Sequence, residues 1–179
     1  MNRVEIGSRS SNVRRLAGAG LLTAVAVAGS TLSFPAFGSS CAPVQHIVNI
    51  FCAVFLGSAW GVGSAFCSSL LRNLLSLGSP LAFPGSMLGA LLCGLIYKKT
   101  KLLLPTLVGE VFGTGVLGGI AAYPFALLFM NKSASEVAVY TYIVPFLVST
   151  AGGAIIAGVV LYTLKGAGAL DKLRAMFNR

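Results

Sequence analysis

Acidic residues are almost missing from this chain: four Asp and Glu stand among 179 residues, beside thirteen Lys and Arg and a single histidine. Charged residues are only 9% of the total and apolar ones 56%, with a mean hydropathy of +0.87. A water-soluble domain has about 25% charged residues to cover its surface, so a soluble globular protein is excluded. The length suits one domain. Four cysteines (Cys41, Cys52, Cys67 and Cys93) show no paired spacing. Three lie in apolar runs, where a thiol behaves as a small hydrophobe, so neither a disulfide framework nor a metal site follows. Also missing are a Ser–His–Asp set, HExxH and a Gly-rich phosphate loop ending in Lys-Ser/Thr. The chain is therefore not read as an enzyme and no cofactor is expected. Active transport, if the chain performs it, would draw on ATP hydrolysed by a partner or on an ion gradient.

What is present is a series of apolar runs separated by basic clusters. The net charge of +9 comes from Arg3, Arg9, Arg14 and Arg15 before the first run, Lys98, Lys99 and Lys101 between two runs, and Lys165, Lys172, Arg174 and Arg179 after the last. Clusters at helix ends mark cytoplasmic loops; no basic groove with interleaved aromatics suggests nucleic acid. The first run, 16–34, follows a basic start and also fits a signal peptide, but the remaining runs would hold the chain in the membrane. As a single helix, 44–75 would be about 48 Å long against about 30 Å of hydrocarbon. Gly57, Gly61 and Gly63 flank Trp60 at its middle, a place for a turn. Splitting it gives an even number of crossings between Arg14-Arg15 and Lys98–Lys101, as two cytoplasmic clusters require.

The expected architecture is an all-α integral membrane protein, a six-helix bundle with both termini cytoplasmic. Its helices are placed at 16–34, 45–57, 59–76, 84–98, 102–130 and 137–164, the fifth bent by Pro124 or the glycines at 113–119. Residues 1–15 form a basic cytoplasmic segment. The 166–179 tail, with Leu170, Leu173 and Phe177 at helical spacing, reads as an amphipathic helix on the inner membrane surface. The loops at 35–44, 76–83 and 131–136 then lie together outside.

Polar side chains inside such helices need a reason. Glu110 lies about nine residues past Lys101, roughly 13 Å into the bilayer, where a carboxylate costs on the order of 2.5–3.5 kcal/mol. It is either functional or a hydrogen-bonded tie between helices, and Thr114 shares its face one turn on. Gln45, His46 and Asn49 crowd one helical face near the outer end; one histidine is equally an interfacial hydrogen-bonder. Arg72-Asn73 ends the third helix on the same side, where an arginine can also simply snorkel. Tyr123, Tyr140 and Tyr142 fit an interfacial aromatic belt. Small residues recur four apart, as at Gly20, Ala24 and Ala28, Gly85 and Gly89, Gly109 and Gly113, and Gly115 and Gly119, and permit close helix contact.

The segments PVQHIVN (43–49), LLRNLLSLGSPLAFPGSMLGALLCGLIYKKT (70–100), GEVFGTGVLGGIAAYP (109–124) and IVPFLVSTAGGAII (143–156) resemble the ThiW family, over about residues 14–165. These are proposed thiazole-precursor S components of energy-coupling factor (ECF) transporters. One departure is Ala42 between Cys41 and Pro43, where the family often has an aromatic. The resemblance implies a substrate-capturing subunit in the bacterial plasma membrane, docked on an ECF T component driven by two cytoplasmic ATPase subunits. It implies hydroxyethylthiazole as cargo and an Ala-x-x-x-Ala docking contact, matched by Ala24 and Ala28 and extended by Gly20. The candidate ligand site comprises Gln45, His46, Asn49, Arg72, Asn73, Glu110, Thr114, Tyr123 and Tyr142. Rival readings are a proton-coupled carrier acting alone, an S component for thiamine or another vitamin, and a membrane enzyme or structural subunit without a ligand.

Overall fold

The structure, a computed structural model, describes residues 3–36, 39–133 and 135–178. Helix α1 (Arg3–Ala28) continues as a 3-10 turn, Gly29–Leu32, into a short antiparallel hairpin, β1 (Phe34–Ala36) and β2 (Ser39–Cys41), with Phe34 opposite Cys41. Then follow α2 (Pro43–Phe55), α3 (Ser58–Leu74) and α4 (Ala82–Thr100). A continuous rod comprises α5 (Leu103–Glu110), a π-helical stretch (Val111–Gly118) and α6 (Gly119–Phe129); α7 (Ile143–Gly166) and α8 (Ala169–Asn178) complete the chain. Three stretches, Ser11–Leu32, Leu103–Phe129 and Ile143–Gly166, are long and apolar enough to cross a membrane.

Local chemistry sets several of these boundaries. Gly57, at φ +98°, takes a conformation open to glycine and separates α2 from α3. Proline at the first position starts α2. Helix α3 closes with Ser76 left-handed at φ +59° while Leu77 N donates to Arg72 O and Ser76 N to Asn73 O, the pattern of a Schellman cap. Helix α7 begins at Ile143 rather than 137. The preceding residues form turns in which Ala138 N donates to Thr141 Oγ1, and Pro145 falls in the first helical turn, where it leaves no hydrogen bond missing.

Helix α4 is the spine, packed against α2, α3 and the rod. Backbone contact with the rod rests on facing glycines. A Cβ at Gly113 would stand 2.9 Å from Gly89 Cα, and one at Gly118 2.6 Å from Gly85 Cα. The glycines of α4 are four apart and those of the rod five apart. A π-helix, whose hydrogen bonds run five residues back, brings the second pair into line with the first. Gly115 and Gly119 turn to α7 instead, where a Cβ at Gly119 would lie 2.8 Å from Ile143 Cα.

One apolar cluster runs along α1, α2 and α7 to the end where α8 docks; a second, around Leu81, Ala122, Ala126 and Tyr142, lies under the 131–142 connection. The apolar face of α8, expected on the membrane surface, is turned onto the bundle. Leu170 is buried, Leu173 and Phe177 pack on the first cluster, and Phe177 occupies the space that Gly18 leaves open. Arg14 Nη1 and Arg15 Nε donate to the carbonyls of Met176 and Phe177, so two N-terminal cations satisfy the negative end of the last helix. Along α1, Thr23 hydrogen-bonds Ser64 of α3 at 2.8 Å.

If glycine contact sets the α4–rod distance, Gly118→Ala destabilises the bundle by about 1–3 kcal/mol through overpacking. Gly152→Ala, with nothing within 4 Å of its new methyl, stays within about 0.5 kcal/mol of the parent. Unfolding titrations of the purified variants in detergent distinguish the two.

Candidate functional site

Between the two apolar clusters lies a connected set of polar side chains. Helix α2 contributes Gln45, His46 and Asn49 from its first two turns, and the rod presents Glu110 one residue before the π stretch and Thr114 within it. Helix α7 adds Ser149, α3 adds Ser68 and α4 adds Ser86. All are buried, with Asn49 and Glu110 0% exposed.

The hydrogen bonds run through one carboxylate oxygen. Glu110 Oε1 accepts from Asn49 Nδ2 at 2.9 Å and from Thr114 Oγ1 at 3.0 Å, and meets His46 Nδ1 at 3.1 Å. Asn49 also donates to Ser86 O and accepts from Gln45 Nε2, and Gln45 Oε1 accepts from the Ser68 hydroxyl. On the other side His46 Nε2 meets Ser149 Oγ at 3.1 Å, while Ala42 N donates to that same oxygen at 2.9 Å. A backbone N–H can only donate, so Ala42 takes one acceptor site of the Ser149 hydroxyl, whose other sites face His46 Nε2. The chain from Ser68 to Ala42 thus ties α2, α3, α4, the rod and α7 together. Glu110 Oε2 is buried without a partner. It faces Gly89, where a Cβ would lie 2.8 Å away and would also overlap Thr114 Oγ1, so only glycine lets α4 pass the carboxylate.

This network forms one wall of a cavity of about 50 Å³. Gln45, His46, Thr114 and Ser149 face it on one side, Phe146 and Leu81 give it apolar surface, and Arg72 lies at its edge beneath Gly78. A few polar groups fixed in a largely apolar hollow is the usual pattern of a small-molecule site. No group of three or more His, Cys, Asp or Glu among the described residues could hold a metal.

The residues singled out from sequence divide into three groups. Gln45, His46, Arg72 and Thr114 line the cavity, and Asn49 and Glu110 stand directly behind it. Asn73 points elsewhere: its Nδ2 donates to the carbonyls of Ser69 and Ser79, pinning the α3–α4 connection, and it borders a separate apolar groove with Phe83 and Phe129. Tyr142 and Tyr123 belong to the second apolar cluster, and Phe146, in ring contact with Tyr142, is the aromatic at the cavity. Sequence reading missed Phe146 and Ser149. Ser149-Thr150 is a polar pair in an otherwise apolar helix, the same signal that drew attention to Glu110. Gly20, Ala24 and Ala28 lie on the exposed face of α1, opposite the buried Thr23 and Ala26.

Asn49→Leu removes one donor from Glu110 and leaves Gln45 Nε2 without its acceptor, which costs about 1–3 kcal/mol per buried group left unpaired. Unfolding titrations should place it well below Ser135→Ala, a change on the exposed 131–142 connection.

The family described as Thiamine-precursor transporter protein (ThiW) matches residues 16–167. No curated protein and no solved structure matches the chain.

Proposed function

This chain belongs to the ThiW family of thiamine-precursor transporter proteins, and from that premise we propose that it is the substrate-capturing S component of an ECF importer. Its cargo in this reading is a small heteroaromatic thiamine precursor, hydroxyethylthiazole, released inward when an ECF T component and two cytoplasmic ATPase subunits act on it. The observation that carries the reading is the hydrogen-bonded polar network facing a cavity inside apolar helices. Polar groups so placed are expensive in a bilayer, and binding is the default reason to keep them. The absence of a phosphate-binding loop from the sequence agrees with an ATPase supplied by partners.

In this arrangement the chain crosses the bacterial plasma membrane six times with both ends cytoplasmic. Helix α2 has 13 residues and rises only about 20 Å, so the hairpin before it completes that crossing. The ring of the cargo sits beside Phe146. Gln45, His46 and Ser149 offer donors and acceptors to its nitrogen and hydroxyl, and Glu110 fixes the histidine from behind. The cavity widens to admit the ring by movement of the 76–81 connection, whose Gly78 and Ser79 form part of its lining. The exposed Gly20, Ala24 and Ala28 face of α1 meets the T component.

A second reading, a proton-coupled carrier that works alone, draws on the direct contact of His46 with Glu110. Uptake separates the two. The S-component reading expects binding by the purified chain, but accumulation in liposomes only with the T component, the ATPases and ATP. The carrier reading expects accumulation by the chain alone under a pH gradient. Calorimetric titration with hydroxyethylthiazole should show His46→Ala and Glu110→Gln weakened at least about tenfold, or about 1.4 kcal/mol; wild-type affinity in both rejects the site. Replacing Ala24 and Ala28 by Trp should abolish ATP-driven uptake and leave binding intact, and persistence of the assembled complex would remove α1 from the interface.

A further inference from the structure

Arg72 is unlike the other polar residues of this region. It is 4% exposed, its Nε is buried without a partner, and its guanidinium makes no hydrogen bond to any described residue. Neither ion pair among the described side chains includes it. The four acidic residues of the sequence offer no remedy. Glu110 is engaged by His46, Asp171 by Arg174, Glu136 accepts from Ser133 N, and the side chain of Glu5 lies outside those described. The carbonyls at the end of α3 supply only about half a negative charge, and Nε donates to none of them.

No carboxylate is among the residues lining the cavity that Arg72 borders, Glu110 standing behind His46 and Thr114. The first turn of α4, through Leu81, Ala82 and Gly85, and that of α2, through Ala42 and Gln45, both border it. Neither helix has a side-chain cap at that end, and the first N–H groups of α4 donate to Ser79 O and Pro80 O. The unpaired guanidinium therefore borders a hollow shared with both helix starts and with Ser79 and Ser149. Gly78 packs the backbone against the arginine stem, since a Cβ there would stand 3.2 Å from Arg72 Cβ and in ordinary contact with Nε. A planar fork of donors left open in this way matches a carboxylate or phosphate.

We propose that this cavity takes a ligand bearing an oxyanion, a carboxylate or phosphate monoester, seated on Arg72 between the first turns of α2 and α4. Resting on the capture reading above, this assigns the cargo to anionic small-ring compounds rather than the neutral alcohol. A phospholipid headgroup carries the same chemistry and is the other source to be distinguished.

The test is a binding titration of the full chain in zwitterionic nanodiscs with hydroxyethylthiazole, its phosphate monoester, a thiazole carboxylate and inorganic phosphate. The wild type is expected to bind an anionic ring on the order of ten- to a hundredfold more tightly than the alcohol. Arg72→Gln should bring that ratio to near unity and Arg72→Lys should restore part of it. The ratio is read within each variant, so a general loss of stability does not imitate the result. Binding of the alcohol alone, or a preference unchanged in Arg72→Gln, overturns the oxyanion site and leaves the capture reading standing. Arg72-dependent binding of inorganic phosphate, or of phosphatidylglycerol in mixed nanodiscs, without any ring bound, upholds the oxyanion site and removes the capture reading. No anion bound in any arm overturns it outright.

Discussion

A carboxyl group sealed among apolar helices constrains everything around it. Glu110 has no exposed surface, and in hydrocarbon such a group is tolerable only with donors in fixed positions. Three side chains meet one oxygen, and each comes from a place the backbone must hold: the second turn of α2, the first turn of the same helix, and the π stretch of the rod itself. Helix α4 can lie alongside only because Gly89 has no side chain. The placing of Asn49 and Thr114 and the close pass of α4 at Gly89 are therefore answers to one electrostatic demand.

The sequence disclosed the cost more readily than the solution. An acid in an apolar run is conspicuous, and so are three polar residues at the start of α2, which is why Glu110, His46 and Asn49 were legible. Ser149 was not, because a serine in an apolar helix can return its hydroxyl to its own backbone, as Ser86 partly does with Ala82 O. Tyr142, just before α7, and Phe146 within it sit one turn apart, and only packing decides which of them reaches the cavity. Asn73 looked like a ligand donor because polarity at a helix end is ambiguous; the Schellman turn beside it needed a side chain to hold the next segment. The family resemblance rested on long motifs and matched the chain's membership; composition alone had reached only apolar helices.

Irregular backbone was the least legible feature. Glycines at 113, 115, 118 and 119 announced close packing, but nothing local announces a π-helix. Its register follows from two partners on opposite sides, α4 at Gly85 and Gly89 and α7 at Ile143 and Leu147. Tertiary fit selects it over the α form. Such stretches often stand at functional positions, and here it begins at the residue after Glu110. Straightening it would leave Thr114 one turn from the carboxylate but break the line of glycines.

The clasp between the two chain ends also bears on how the molecule is made. Arg14 and Arg15 hold the carbonyls of residues 162 positions later, so α8, synthesised after the helices before it, completes a contact with α1. Contacts of such sequence separation form late, because the loop they close is entropically costly. Helix α1 must wait with the groove beside Gly18 uncovered until Phe177 leaves the ribosome, and premature termination anywhere before α8 leaves that groove open. Arg14 and Arg15 thus do two things at once, meeting the carbonyls at the end of α8 and holding Phe177 over the groove beside Gly18.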